Sequence, residues 1–217
     1  MIDNINELAA EAHENAVIHG FYDVPDPEEC NIAMLHCELS EAVQAERNDE
    51  GLRRYICKDW DGGGENECTM KGRNTYAEYC ARYPMDALLS NGKTCSYRKA
   101  EGVAVELADF VIRLMDYAAG HGMKIPTRQQ IVPTYSSLPR LVNRLHSSIN
   151  ELVHFRDIDA GFGFKDGTGC VAQVCIIANA VELVETFLDA QDIDLWEVVR
   201  EKMAYNRNRP MLHGKKY

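Results

Sequence analysis

Apolar residues recur along most of the chain at intervals of three and four, and the segments that carry this period predict six helices. The first covers roughly 3–19, with Asp3 or Asn4 to cap it and Gly20 to end it. The stretch "VPDPEEC" turns the chain into a second helix, roughly 28–48. A third starts near Glu101 and ends near Gly120. Its apolar positions, among them Val103, Leu107, Val111 and Leu114, cover most of the circumference, as in a helix at the middle of a bundle. After "HGMKIPTRQQIVPTYSSLP", punctuated by prolines, come helices over roughly 138–155, 169–190 and 194–208. The glycine-rich turn "RDIDAGFGFKDGTG" separates the first two of these. Residues 51–99 break the period: "DWDGGGENECTMKGRN" is polar and rich in glycine, with room later for a short helix or hairpin. The expected fold class is all-α, a single domain over 1–217 built as a helical bundle, with a long irregular insertion at about 51–99.

Composition narrows the classes of function. With 217 residues, 46% of them hydrophobic, the chain can bury a sizeable core. A formal net charge of −11 argues against a nucleic-acid duplex as partner, because duplex binding needs a basic footprint. It does not exclude nucleotides, since a metal ion can reconcile carboxylates with a polyphosphate. The opening "MIDNINELAAEAHENAV" has neither the basic nor the apolar region of a secretory signal. No uninterrupted apolar run approaches about 18 residues, so no membrane span and a cytoplasmic location are expected. The eight cysteines should then be mostly reduced thiols. Cys57, Cys68, Cys80 and Cys95 of the insertion lack the short C-x-x-C spacing of a zinc knuckle.

Candidate chemistry lies in the acidic residues. "MLHCELSEAVQAER" carries Glu38 and Glu41 at the edge of an apolar stripe, three residues apart and therefore on one helix face. The third helix repeats the spacing with Glu106 and Asp109, and the fifth with Glu182 and Glu185. One E-x-x-E is usually a solvated surface pair. Glu106 and Asp109 are different, because they lie amid Val103, Val105, Leu107, Ala108, Val111 and Ile112, and buried charges need partners. An ion pair between Asp109 and Arg113 is one solution. A divalent cation held between two facing acidic helices is another, and all-oxygen ligands favour Mg²⁺ or Mn²⁺.

"LHCELSEAVQAER", "KAEGVAVELADFVIRLMDYAAGHG" and "KMAYNRNRPMLHGKK" together resemble the all-α nucleoside triphosphate pyrophosphohydrolases. These are the MazG-like proteins, related to dimeric dUTPases and dCTP pyrophosphatases. The resemblance covers roughly 1–50 and 99–217 and omits the insertion. It implies Mg²⁺-dependent hydrolysis of a nucleoside triphosphate to the monophosphate and pyrophosphate, for nucleotide-pool cleansing or dNTP control. Glu38, Glu41, Glu106 and Asp109 would be metal ligands, and Glu38 or Glu41 could also serve as general base. Lys202, Asn206 and Arg209 match the K-x-x-x-N-x-x-R-P block and would contact phosphates. Alone, that block reads as an ordinary basic helix end. A homodimer or homotetramer would be usual for the family.

Phe21, Tyr22 and Trp60 could stack a base, although lone aromatics more often pack in cores. There is no G-x-x-x-x-G-K-[ST] loop. A rival reading is a di-iron carboxylate bundle, suggested by Glu151-x-x-His154; that site needs two such helices and the chain has one. A third is a catalytically silent bundle that binds nucleotides.

Overall fold

The structure is a computed structural model that describes residues 2–58, 65–66, 98–127, 132–162, 170–207, 209 and 211–214. Among these are six α-helices: α1 (Ile5–Ile18), α2 (Pro27–Arg47), α3 (Val103–Gly120), α4 (Leu138–Phe162), α5 (Cys170–Asp189) and α6 (Leu195–Asn206). The fold is an all-α helical bundle. Helix α3 is its axis. α1, α2, α5 and α6 all pack against it, while α4 closes the far side against α2 and α5. Val103, Leu107, Phe110, Val111, Leu114, Met115 and Tyr117 are buried around the full turn of α3, which is why its sequence is apolar nearly all round. Truncating Leu107 to alanine there should cost about 2–5 kcal/mol.

The helix ends follow local chemistry. α1 stops in a Schellman turn: Gly20 takes φ +79°, its N–H bonds the Val17 carbonyl, and the Phe21 N–H bonds the Ala16 carbonyl. Asn4 stands at the N-cap of α1, but its carbonyl rather than its side chain takes up the free amides of Glu7 and Leu8. α2 opens on Pro27 with Glu28 and Glu29 in its first turn, where carboxylates suit the helix dipole. The Asp194 side chain caps α6 by accepting from the Trp196 and Glu197 amides.

Three boundaries differ from expectation. α4 runs on to Phe162, through residues read as turn; Arg156 ties this extension to Glu28 and Glu29 of α2. α3 starts at Val103, because Glu101 is claimed by a strand. The insertion opens on a small antiparallel sheet in the order β2-β1-β3, from β1 (Arg54–Lys58), β2 (Glu65–Asn66) and β3 (Arg98–Glu101). Arg54 pairs with Glu101 and Cys57 with Arg98, so the two ends of the insertion are zipped together. Arg53 donates to Glu197 and Glu201 and fastens this base to α6. Trp60, Cys68, Cys80, Cys95 and the segment 163–169 lie outside the described residues.

Gly102 joins sheet to helix. It has φ +113°, and a Cβ there would stand 2.9 Å from the carbonyl oxygens of Gly51 and Leu52. Those carbonyls accept from the first two amides of α3, at Val103 and Ala104. Gly102→Ala is expected to lower unfolding stability by roughly 2–4 kcal/mol, since the left-handed backbone alone costs about 1–2 and the clash is with backbone. Urea unfolding checks this; a loss below about 0.5 kcal/mol would contradict it.

The stretch Val171–Asp189 is long and apolar enough, by length and composition alone, to cross a membrane, with mean hydropathy 1.6. The expectation of no such span overlooks it, because Glu182 and Glu185 interrupt the run. Here 56% of that stretch is buried within the bundle.

Candidate functional site

Glu106, Asp109, Arg113 and Asp116 occur at spacings of three, four and three along α3, so one polar stripe runs down an otherwise apolar helix. Opposite the stripe, α2 presents Met34, Glu38 and Glu41, and α6 presents Lys202 and Asn206. Ala12 and Ala16 of α1 are small and leave space between these walls. The result is a cavity of about 130 Å³, room for several waters, that takes in Phe21, Arg209 and Leu212 at its margin. All seven residues singled out from the sequence, Glu38, Glu41, Glu106, Asp109, Lys202, Asn206 and Arg209, line it.

They are not equivalent. Glu38, Glu106 and Asp109 each offer a carboxylate oxygen within 4.8 Å of the others, the spacing at which one cation can be shared. Glu41 lines the same cavity from an exposed position outside that trio. Glu38 is buried and accepts a hydrogen bond from Arg113 Nε. Lys202 is 4% exposed, and its Nζ lies 2.7 Å from Asp109 Oδ2. The competing ion pair expected within α3, Arg113 with Asp109, is therefore replaced by two pairs between helices. Asn206 is 7% exposed, and its Oδ1 has no hydrogen-bond partner. Arg209 follows the end of α6 rather than extending it, with its guanidinium 5.9 Å from the Tyr205 ring centroid.

This crowding of acids leaves an electrostatic mark. Burial, and then Asp109, push the Glu106 carboxyl up to about 8, with Lys202 pulling the other way. Glu38 is also raised, by burial first, against the pull of Arg113. Lys202 is held above the ordinary lysine range, because Asp109 and Glu106 outweigh the effect of its burial. Arg113 and Lys202 thus oppose, without cancelling, the rise that burial imposes on Glu38 and Glu106.

The sequence reading missed a second node on the same stripe. Asp116 is buried and accepts from Tyr22 Oη at 2.7 Å, with His13 Nδ1 at 2.8 Å and Asn31 Nδ2 at 3.4 Å. Its signal was the continuation of the spacing beyond Asp109. Tyr22, expected as a possible base-stacking ring, spends its hydroxyl on Asp116, while Phe21 faces the cavity. Glu151 pairs with Arg144 and His154 packs edge-on to Phe155; neither lines the cavity. Trp196 donates to Glu185, which therefore belongs to the α5–α6 contact, while Glu182 is buried on α5.

The donor set suits a hard divalent cation: three carboxylates within reach of one another, a fourth beside them, and an orphaned amide oxygen on Asn206. No family model, no curated protein and no solved structure matches this chain.

Proposed function

We propose that this cavity is the catalytic site of a nucleoside triphosphate pyrophosphohydrolase of the MazG-like type, dependent on Mg²⁺ or Mn²⁺. The observation that carries the reading is the meeting, in one cavity, of a carboxylate trio from two helices and a cationic, amide-bearing wall from the end of a third. Glu38, Glu106 and Asp109 would hold the ion. When bound, it supplies positive charge against phosphate oxygens and acidifies nearby water.

The remaining roles fall to this chain's own residues. Glu41, exposed and outside the trio, is the carboxylate open to take the proton of an attacking water as the bond between the α- and β-phosphoryl groups is cleaved. Lys202 and Arg209 set positive charge against the departing pyrophosphate, and the Asn206 amide can hydrogen-bond a phosphate oxygen. The nucleoside extends towards Phe21 and Met34, the apolar part of the cavity lining. A homodimer or homotetramer, and a role in nucleotide-pool cleansing or dNTP control, belong to the same reading.

The test is direct. The protein is incubated with each NTP and dNTP, with Mg²⁺ and then with EDTA, and monophosphate and pyrophosphate are measured. Metal-dependent formation of both products is expected, reduced by at least about 100-fold in Glu38→Gln. Failure to turn over any nucleotide would overturn the reading.

A further inference from the structure

We propose that His19 is a positioning residue that clamps the stretch carrying Arg209 and Leu212 across the cavity margin. The proposal rests on the reading of Arg209 as a phosphate contact. His19 is the C-cap of α1, 6% exposed and held in place by the Schellman turn at Gly20. Its Nδ1 lies 2.8 Å from the Asn15 carbonyl oxygen and its Nε2 lies 3.0 Å from the Arg209 carbonyl oxygen. Both partners can only accept. The ring thus bridges a carbonyl within α1 and a carbonyl beyond the end of α6.

Two further contacts make this a clamp. The Leu212 amide donates to the His19 carbonyl at 2.8 Å. Met211 Cε lies 2.7 Å from where a Cβ on Gly20 would stand, so the Met211 side chain reaches the corner. Arg209 and Leu212, the residues on either side of these contacts, both line the cavity. Removal of the ring nitrogen that faces the Arg209 carbonyl breaks the side-chain half of the clamp. It frees the stretch that carries Arg209 while leaving the carboxylate trio untouched.

Two variants separate the halves of the clamp. Glutamine places its amide near the Nε2 position and keeps the bond to Arg209; asparagine places it near Nδ1 and keeps only the bond within α1. Hydrogen exchange of the amides of Arg209, Met211, Leu212 and Gly214 is measured at one pH. Protection is expected in the native protein and in His19→Gln, and little in His19→Asn. With the best triphosphate and Mg²⁺, His19→Asn is expected to raise KM about 5- to 10-fold with kcat within about twofold, and to add nothing in an Arg209→Ala background. Equal protection in all three proteins, or an undiminished KM effect without Arg209, would overturn the clamp. The exchange measurement needs no substrate. A protein that exchanges as described but hydrolyses nothing would overturn the proposed activity, whereas turnover with exchange insensitive to His19 would overturn only the clamp.

Discussion

Glu106→Gln is expected to make the metal-free protein more stable at alkaline pH while lowering Mg²⁺-dependent turnover by at least about 100-fold. The two effects have one cause. Burial and the neighbouring Asp109 raise the Glu106 carboxyl to about 8, so the folded protein keeps a proton that the unfolded chain has already released at neutral pH. A carboxyl raised in this way contributes its stability below the ordinary carboxylate range and loses it as pH climbs through about 8. Glutamine resembles the protonated acid and cannot ionise, so the variant escapes the loss. By pH 9 the gap should reach roughly 1–3 kcal/mol, because each tenfold difference in proton affinity between folded and unfolded chain is worth about 1.4 kcal/mol. Urea midpoints at pH 5, 7 and 9 measure it. Mg²⁺ should reverse the order, stabilising the native protein by mass action and leaving the variant almost unmoved. A native protein whose metal-free stability is flat from pH 5 to 9, and unaffected by Mg²⁺, would show that Glu106 neither carries a raised carboxyl nor meets a cation.

The positions of the acids were legible because three-residue spacing on a helix puts two side chains on one face whatever the helix packs against. Their burial was legible on α3 alone, where Val103, Leu107 and Val111 leave no solvent side. Partner choice was not. Arg113 sits one turn from Asp109, and the local reading joins them; Asp109 instead takes Lys202, and Arg113 crosses to Glu38. That exchange depends on α6 and α2 arriving beside α3, a tertiary outcome without local signature. A short helix or hairpin was expected within the insertion, but the strand at its far end was hidden for a similar reason. "RKAE" carries no apolar alternation, and it becomes a strand by pairing with residues more than forty positions earlier. His19 reads as the polar end of an amphipathic helix until the C-terminal segment is seen lying against it.

The Asp109–Lys202 pair carries the second large expectation. Asp109→Asn should cost about 3–5 kcal/mol, because it leaves a lysine ammonium 4% exposed with its strongest partner removed. Lys202→Met should cost less, about 1–2 kcal/mol, since Asp109 at 16% exposure can recover some solvent and methionine fills the lysine's apolar volume. The double variant should regain at least about 1.5 kcal/mol over the sum of the singles, which the urea midpoints of a double-mutant cycle measure. Function should divide the pair differently. Without Lys202 the carboxylate trio faces one cation fewer, so Mg²⁺ binds as tightly as before or more tightly, yet kcat/KM should fall about 100- to 1,000-fold if Lys202 meets the phosphates. A lysine that served only as a counter-charge would leave turnover near native once Mg²⁺ had replaced it. Titration of Mg²⁺ by calorimetry, beside steady-state kinetics of Lys202→Met, therefore decides whether α6 braces the acidic site or takes part in its chemistry.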